Sequence, residues 1–182
     1  MDELYLFLAT GFEETEAIAT LDVLRRASLN VKSISITGEK KVVGAHHIII
    51  EADALFENTD FSNASVIILP GGMPGTRNLN AHSALKQLIQ SHHAQGKHLA
   101  AICAAPMILG NLGILEGKEA TCYPGNEPDL KGAKISEYMI VQDENILTAS
   151  GPGVALDFGL QIVSNVLGEE KAEIIAKSML LT

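Results

Sequence analysis

"HLAAICAAPMILG", which runs from residue 98 to residue 110, changes character at its centre. The residues from His98 to Ile102 are mostly apolar, a pattern typical of a strand that is buried on both faces of a sheet. Beyond Cys103, the segment Ala104–Pro106 begins a helix-like run, and proline is favoured in the first turn of a helix. We therefore predict a strand that turns sharply into a helix, with Cys103 at the corner.

The same alternation of strands and helices extends along the chain. Apolar runs at Leu4–Ala9 and Val66–Leu69 predict buried strands, and Thr15–Ala27 has the apolar spacing of an amphipathic helix. Further predicted elements are strands at Val31–Ile36, Glu119–Tyr123, Tyr138–Gln142 and Asn145–Ser150, a hairpin around Gly44, and helices around Leu85–His92, Leu156–Leu167 and Lys171–Ser178. Strands alternating with helices favour an α/β fold, a three-layer sandwich with a mostly parallel sheet and helices on both faces.

Composition limits the class of protein. The 182 residues, 47% of them apolar, suit one compact domain spanning residues 1–182. No apolar run reaches the length of about 18 residues that suggests a membrane span, and the N-terminal stretch MDELYLFLATGFEE has no basic leader. We therefore expect a cytoplasmic protein without a membrane partner. The net charge of −9 also disfavours a nucleic-acid partner, since phosphate binding needs clustered basic residues.

Three turns are candidates for chemistry because each follows a predicted strand. In a parallel sheet, ligands bind beyond the carboxyl ends of the strands. That edge receives GFEETE (residues 11–16), PGGMPG (residues 70–75) and CAAP (residues 103–106). The topology can therefore bring these turns together around Cys103.

The position of Cys103 in the sequence allows two interpretations. A thiol at the start of a helix is favoured as a thiolate, and a strained corner exposes it, as in nucleophile elbows. A buried, inert cysteine has the same local pattern. Gly71 and Gly72 favour the first interpretation, because their amides can point at the sulfur or at an oxyanion. Glu16, facing the thiolate, is expected to keep its proton, donate a hydrogen bond to sulfur and steer proton transfers.

The order and spacing of these motifs resemble a known family. The segments FLATGFEETEAIATLDVLRRA, VIILPGG, AAICAAP and SGPGVALDFGL extend over nearly the whole chain. They are similar to the ThiJ/PfpI superfamily of Parkinson-disease-protein-like cysteine proteins, in its bacterial chaperone and deglycase branch. The resemblance implies a flavodoxin-like fold and a homodimer. It also implies a reactive cysteine at Cys103, a functional glutamate at Glu16, and oxyanion-binding or sulfur-stabilising amides at Gly71, Gly72 and Ala104.

The sequence departs from the family pattern at two positions. Many members place a histidine near the cysteine, whereas Tyr123 stands at that position here. A basic residue that often lines the pocket entrance is replaced, and His46 is the candidate in its place. Without a histidine, Cys103 lacks an evident base, which weakens a protease interpretation.

Three functions remain open. The leading one is an enzyme that adds Cys103 to a reactive carbonyl, with Glu16 moving the proton; the resemblance implies glyoxalase or deglycase activity on a small carbonyl or a glycated protein. The alternative is a redox sensor or oxidation-controlled chaperone in which Cys103 is oxidised. A peptidase or amidase is less favoured because of the missing histidine. Nothing in the residues supports the thiamine-related role that an older family label suggests.

Other motifs carry no predicted chemistry. GPGVAL (residues 151–156) resembles a dinucleotide fingerprint but lacks its third glycine, so we interpret it as a tight loop that opens a helix. The adjacent pairs His46-His47 and His92-His93 point in diverging directions, which favours surface histidines over metal ligands. Cys122 lies in a strand-like run and is predicted to be a core or interface residue. We therefore predict neither a metal site nor a cofactor.

Overall fold

A seven-stranded sheet forms the centre of the computed structural model, which describes residues 3–181. The strands are β1 (Glu3–Leu8), β2 (Val31–Ser35), β3 (Lys41–Val43), β4 (Ile49–Glu51), β5 (Ala54–Leu55), β6 (Ala64–Leu69), β7 (His98–Ile102), β8 (Glu119–Ala120), β9 (Lys134–Ile135), β10 (Ile140–Asp143) and β11 (Ile146–Ala149). The α-helices are α1 (Glu14–Arg26), α2 (Gly75–Ala81), α3 (Ser83–Ala94), α4 (Pro106–Asn111), α5 (Ala155–Leu167) and α6 (Glu169–Ser178).

The strand order in this sheet is β10-β11-β7-β6-β1-β2-β5. Every pairing in it is parallel except that of β10 with β11. Strands β3 and β4 form a separate antiparallel hairpin. The predicted fold class, α/β with a mostly parallel sheet, is confirmed. Because β1, β6 and β7 are neighbours in the centre, the turns that follow them meet at one edge of the sheet.

Alternate residues of β1 supply two separate cores. Leu4 and Leu6 pack with residues of α1 and α5 on one face of the sheet, whereas Tyr5 and Phe7 pack with residues of α3 and α4 on the other. All four side chains are fully buried. Successive residues of a strand point to opposite faces, so this continuous apolar run fills both layers of a three-layer sandwich.

Three regions differ from the sequence predictions. The strand predicted at Glu119–Tyr123 is reduced to the two residues of β8, which pair with β9 outside the main sheet. The helix after Cys103 is shorter than its apolar pattern suggested, because the chain turns at Gly113, which has a left-handed φ of 73°. Helix α2 was not predicted. The loop interpretation of GPGVAL is confirmed, since residues 152–154 form a single 3₁₀ turn before α5.

No helix within residues 3–181 has the length and apolar character needed to cross a membrane. The interpretation of the N-terminal stretch as free of a leader depends partly on Met1 and Asp2, which lie outside the described residues.

The packing of α5 against the sheet and α1 can be tested by truncating a buried side chain of α5. Phe158 is fully buried, and its truncation in Phe158→Ala leaves a cavity that the surrounding strands cannot fill. We expect the free energy of unfolding to fall by about 3–5 kcal/mol, measured by urea denaturation. Ile174→Ala, on the exposed side of α6, is the matched control and should change it by less than about 0.5 kcal/mol. Equal losses in the two variants would contradict the assignment of Phe158 to the core.

Candidate active site

The three predicted turns converge on one open cavity of about 570 Å³. Cys103 follows β7, Gly72 follows β6, and Glu16 lies in the first turn of α1, which follows β1. All three residues line the cavity, together with Ala104 and Tyr123. The three turns therefore meet around Cys103, as the sequence predicts.

Cys103 occupies a strained backbone corner. Its φ is 64°, in the left-handed region that side chains other than glycine rarely adopt, at a cost of roughly 1–2 kcal/mol. Its amide donates to the Ala149 carbonyl at 2.8 Å, and its carbonyl accepts from the Tyr123 amide at 2.8 Å. These two bonds to neighbouring segments hold the corner in place. The thiol is half-buried and lies at the wall of the cavity.

Glu16 is a fully buried carboxyl group with one hydrogen-bond partner. Its Oε2 accepts from the Gly71 amide at 2.7 Å, while Oε1 is buried without a partner. Burial raises the pKa of Glu16 to about 7, against the lowering effect of the Gly71 hydrogen bond and of contact with Cys103. The predicted protonation of Glu16 is thus supported: near neutral pH this carboxyl carries a proton for much of the time.

Gly71 has a different role from the one predicted. Its amide is bound to Glu16, so it is not directed at the sulfur or at an oxyanion. A Cβ at this position would lie 2.6 Å from Cys103 Cβ and 2.8 Å from Glu16 Oε2. Only a glycine therefore lets the carboxyl and the thiol approach each other this closely. The amides that face the sulfur are those of Gly72 and Ala104, as predicted.

The Cys103 thiol does not ionise easily while Glu16 is charged. Burial raises the pKa of Cys103 to about 12, and the Glu16 carboxylate contributes further, whereas the amides of Gly72 and Ala104 lower it. This direction includes the effect of a charged Glu16, whereas the sequence predicts a thiolate beside a protonated Glu16. The contributions of Glu16 arise from its negative charge and disappear when it is protonated. A thiolate at Cys103 therefore requires the proton to be on Glu16.

Glu14 and His46 form an unpredicted clamp at the cavity mouth. The buried Glu14 carboxylate accepts from the His46 amide at 2.7 Å and the Ile48 amide at 3.3 Å, and it contacts His46 Nδ1 at 2.9 Å. Although burial acts in the opposite direction, these bonds lower the pKa of Glu14. The Glu14 hydrogen bond and the charge of Glu13 raise the pKa of the exposed His46. A Cβ at Gly44 would lie 2.1 Å from Glu14 Oε1, so the clamp requires a glycine at this position. Gly44 is therefore the residue in the sequence that could have indicated the clamp.

The clamp is also the one grouping of ligand-type side chains found in residues 3–181. Ligand atoms of Glu13, Glu14 and His46 all lie within 4.8 Å of one another. The oxygens of Glu14 already accept from two amides and contact the imidazole, so the group is explained by its own hydrogen bonds. The prediction that the protein has no metal site stays a prediction.

Comparison with known proteins agrees with this geometry. The model of the DJ-1/PfpI family matches residues 2–165. Protein dj-1beta of Drosophila melanogaster is 34% identical over 178 residues, which cover 97% of this chain and 95% of that protein. The chain belongs to the DJ-1/PfpI family. The glutathione-independent glyoxalase DJ-1 of Schizosaccharomyces pombe is 27% identical over 190 residues, with 98% of each chain covered. The structure of oxidized Toxoplasma gondii DJ-1 has a TM-score of 0.95 at 31% identity, covering 99% of this chain and 98% of that one.

This member of the DJ-1/PfpI family has a tyrosine on the cavity wall. Tyr123 is about half exposed, and its ring packs on Gly151, where a Cβ would lie 3.2 Å from Tyr123 Cδ2. Among the described residues, the histidine that lines the cavity is His46, whose Nδ1 is engaged by Glu14. Cys122 is buried in the core beneath α3 and α4, which confirms its prediction as a core residue.

The raised pKa of Glu16 predicts a pH-dependent stability. The native state holds the Glu16 proton up to about pH 7, whereas the ordinary pKa of this group is 4.5, so stability should fall as pH rises between these values. The loss corresponds to roughly 3 kcal/mol in the free energy of unfolding. Glu16→Gln, which cannot ionise, should flatten this part of the profile, measured by denaturation from pH 4 to 8. Glu170→Gln on exposed α6 is the control; if both variants kept the wild-type slope, Glu16 would not be the group responsible.

Proposed function

We propose that this chain is a cysteine-dependent enzyme for small reactive carbonyls, with glyoxalase-type activity. The observation that supports it is the joint placement of the Cys103 thiol, the buried Glu16 carboxyl and the amides of Gly72 and Ala104 on one cavity. A nucleophile, a proton-transfer group and amide donors are the groups that carbonyl addition requires.

The first step is addition of sulfur to an aldehyde carbon. The proton of the Cys103 thiol passes to Glu16, a C–S bond forms, and the carbonyl π electrons move to oxygen. The amides of Gly72 and Ala104 stabilise the resulting oxyanion, which then takes the proton from Glu16 to give a thiohemiacetal. The pKa of about 7 for Glu16 suits this exchange, because such a group both accepts and donates protons near neutral pH.

With methylglyoxal, the later steps form lactate without an external oxidant. Glu16 removes the hydrogen on the sulfur-bound carbon as a proton, the electrons move to the neighbouring ketone oxygen, and that oxygen takes the proton from Glu16 to form an enediol. Glu16 then takes the hydroxyl proton of the sulfur-bound carbon and delivers it to the former ketone carbon, which yields a thioester on Cys103. Water hydrolyses this thioester and releases lactate and the free thiol. One carbon is oxidised and its neighbour is reduced, so the net change is addition of water.

The relatives support this proposal at the level of the family. The Schizosaccharomyces pombe protein is named a glutathione-independent glyoxalase. A glyoxalase that does not use glutathione needs a sulfur of its own if it works through a thiohemiacetal, and Cys103 supplies that sulfur here. Deglycase action on glycated proteins would begin with the same addition and is part of the same proposal. A peptidase is not proposed, because His46 is engaged by Glu14.

We also propose that this chain forms a homodimer and is located in the cytoplasm. Exposed Ile18 lies one helical turn after Glu14, on the same face of α1, and exposed Ile48 donates its amide to Glu14. Ile49, the next residue along the chain, is exposed as well. A second copy of this chain would cover these side chains next to the site.

Lactate formation from methylglyoxal tests the enzyme proposal. Cys103→Ser should lower kcat/KM by at least about 100-fold, and Glu16→Gln by about 10²–10⁴, since one loses the nucleophile and the other the proton-transfer group. Ile174→Ala is the control and should retain wild-type kcat/KM, because this exposed residue of α6 does not line the cavity. Wild-type turnover no faster than that of Cys103→Ser would exclude the proposal.

Oxidation of Cys103 is a second candidate function. The sulfur faces amides and a protonatable carboxyl that can bind added oxygens, and a similar structure is that of an oxidized DJ-1. After mild peroxide treatment, we expect two oxygens on Cys103 and none on the buried Cys122, measured by mass spectrometry of peptides. Glu16→Gln should lower the yield of the two-oxygen product. Equal oxidation of both cysteines would argue against a sensor, whereas selective oxidation without carbonyl turnover would favour it.

A further inference from the structure

A second cavity of about 480 Å³ adjoins the active cavity. Tyr123 and Pro152 line both, so the two spaces share a wall. The second cavity lies between the segment after β8, the segment between β9 and β10, and the turn that precedes α5. The mechanism described above uses none of the residues that belong to it alone.

Tyr123 determines how the two cavities communicate. Its amide is bonded to the Cys103 carbonyl at 2.8 Å, so its backbone is fixed next to the reactive residue. Its side chain is about half exposed and packs on Gly151, which lines the second cavity. The second cavity therefore lies on the other side of the Tyr123 wall from the space beside Cys103.

Large apolar side chains that are exposed to solvent line the second cavity. Tyr138 is 75% exposed, Met139 56% and Ile135 49%. Aromatic rings and a methionine thioether bind other rings through stacking and S–aromatic contacts. Such a group of side chains, continuous with a reactive site, is typical of a ligand-binding surface.

The charges of the second cavity exclude one class of ligand. The charged side chains that line it among the described residues are Glu127 and Glu137, and no lysine, arginine or histidine accompanies them. The active cavity also contains Glu13 and Glu16, together with the imidazole of His46. A carboxylate or phosphate on the substituent would be repelled in the second cavity, whereas an uncharged ring would not.

We propose that the second cavity binds the uncharged aromatic or branched apolar substituent of the carbonyl substrate, making an aryl or large-alkyl α-oxoaldehyde a better substrate than glyoxal or an anionic oxoacid. This inference rests on the proposed carbonyl chemistry and names the substrate class for it. The covalent steps are those given for methylglyoxal, so phenylglyoxal and water yield mandelate with the same balance of bonds and electrons. Tyr138 and Met139 are specificity residues that contact the substituent, away from the reacting carbon.

The test compares phenylglyoxal with methylglyoxal on the same protein. In the double variant Tyr138→Ala/Met139→Ala, the ratio of kcat/KM for phenylglyoxal to that for methylglyoxal should fall about tenfold, as expected for the loss of part of an apolar contact. The change should lie in KM, because kcat depends on Cys103 and Glu16. Ile174→Ala, which removes an exposed apolar side chain on α6 outside the cavity, should leave the ratio at the wild-type value. An unchanged ratio in the double variant would overturn the inference.

A binding measurement separates this inference from the proposed function. Acetophenone carries the aromatic ring and an unreactive ketone, so its dissociation constant can be measured by calorimetry with wild type and the double variant. Tenfold weaker binding in the double variant would support the cavity assignment even if no aldehyde were turned over, in which case only the enzyme proposal fails. No binding to wild type, or equal binding to both proteins, would exclude the second cavity as the ring site. Both replaced side chains are exposed, and circular dichroism verifies the fold.

Discussion

The hydrogen bond from the Gly71 amide to the Glu16 carboxyl is the interaction on which the site depends. It joins residues 55 positions apart and connects the turn after β6 with the first turn of α1. A buried carboxyl with no partner would be strongly unfavourable, and this single bond orients it beside Cys103. Because Gly71 has no Cβ, the thiol and the carboxyl both approach the same backbone position. The pair then behaves as one acid–base unit, not as two independent groups.

The electrostatics of that unit support the proposed preference for neutral carbonyls. Burial disfavours a charge on both Glu16 and Cys103, so the pair holds at most one negative charge near neutral pH. Proton exchange between them produces the nucleophile and the acid in the same event. The Glu14–His46 clamp adds negative charge to the cavity mouth, partly compensated by the imidazole. The proposed uncharged aldehyde can enter such a site without electrostatic cost.

The residues of the proposed mechanism were identifiable from the sequence, but not all of their partners were. Cys103 and Glu16 were identifiable because each follows an apolar strand, and parallel topology brings such turns to one edge. The predicted role of Gly71 was wrong, since it depends on which atoms a long-range hydrogen bond occupies. The thiolate at Cys103 stays a prediction. Acidic residues in a first helical turn are common, and for this reason Glu14 was not recognised as the residue that holds the loop around His46. The two-residue β8 is a further case in which a partner was missed. Its backbone pairs with β9, and the periodicity of the chain did not reveal this pairing.

Local pattern was sufficient for those features that depend on neighbouring residues. The alternation of apolar strands with amphipathic helices determined the layers, and the abrupt end of β7 determined that Cys103 stands at a corner. Tertiary structure alone decided the pKa of Glu16, the contact partner of Gly71 and the shared Tyr123 wall between two cavities. These properties arise from burial and from distances between segments far apart in the chain, and neither quantity is contained in the spacing of residue types.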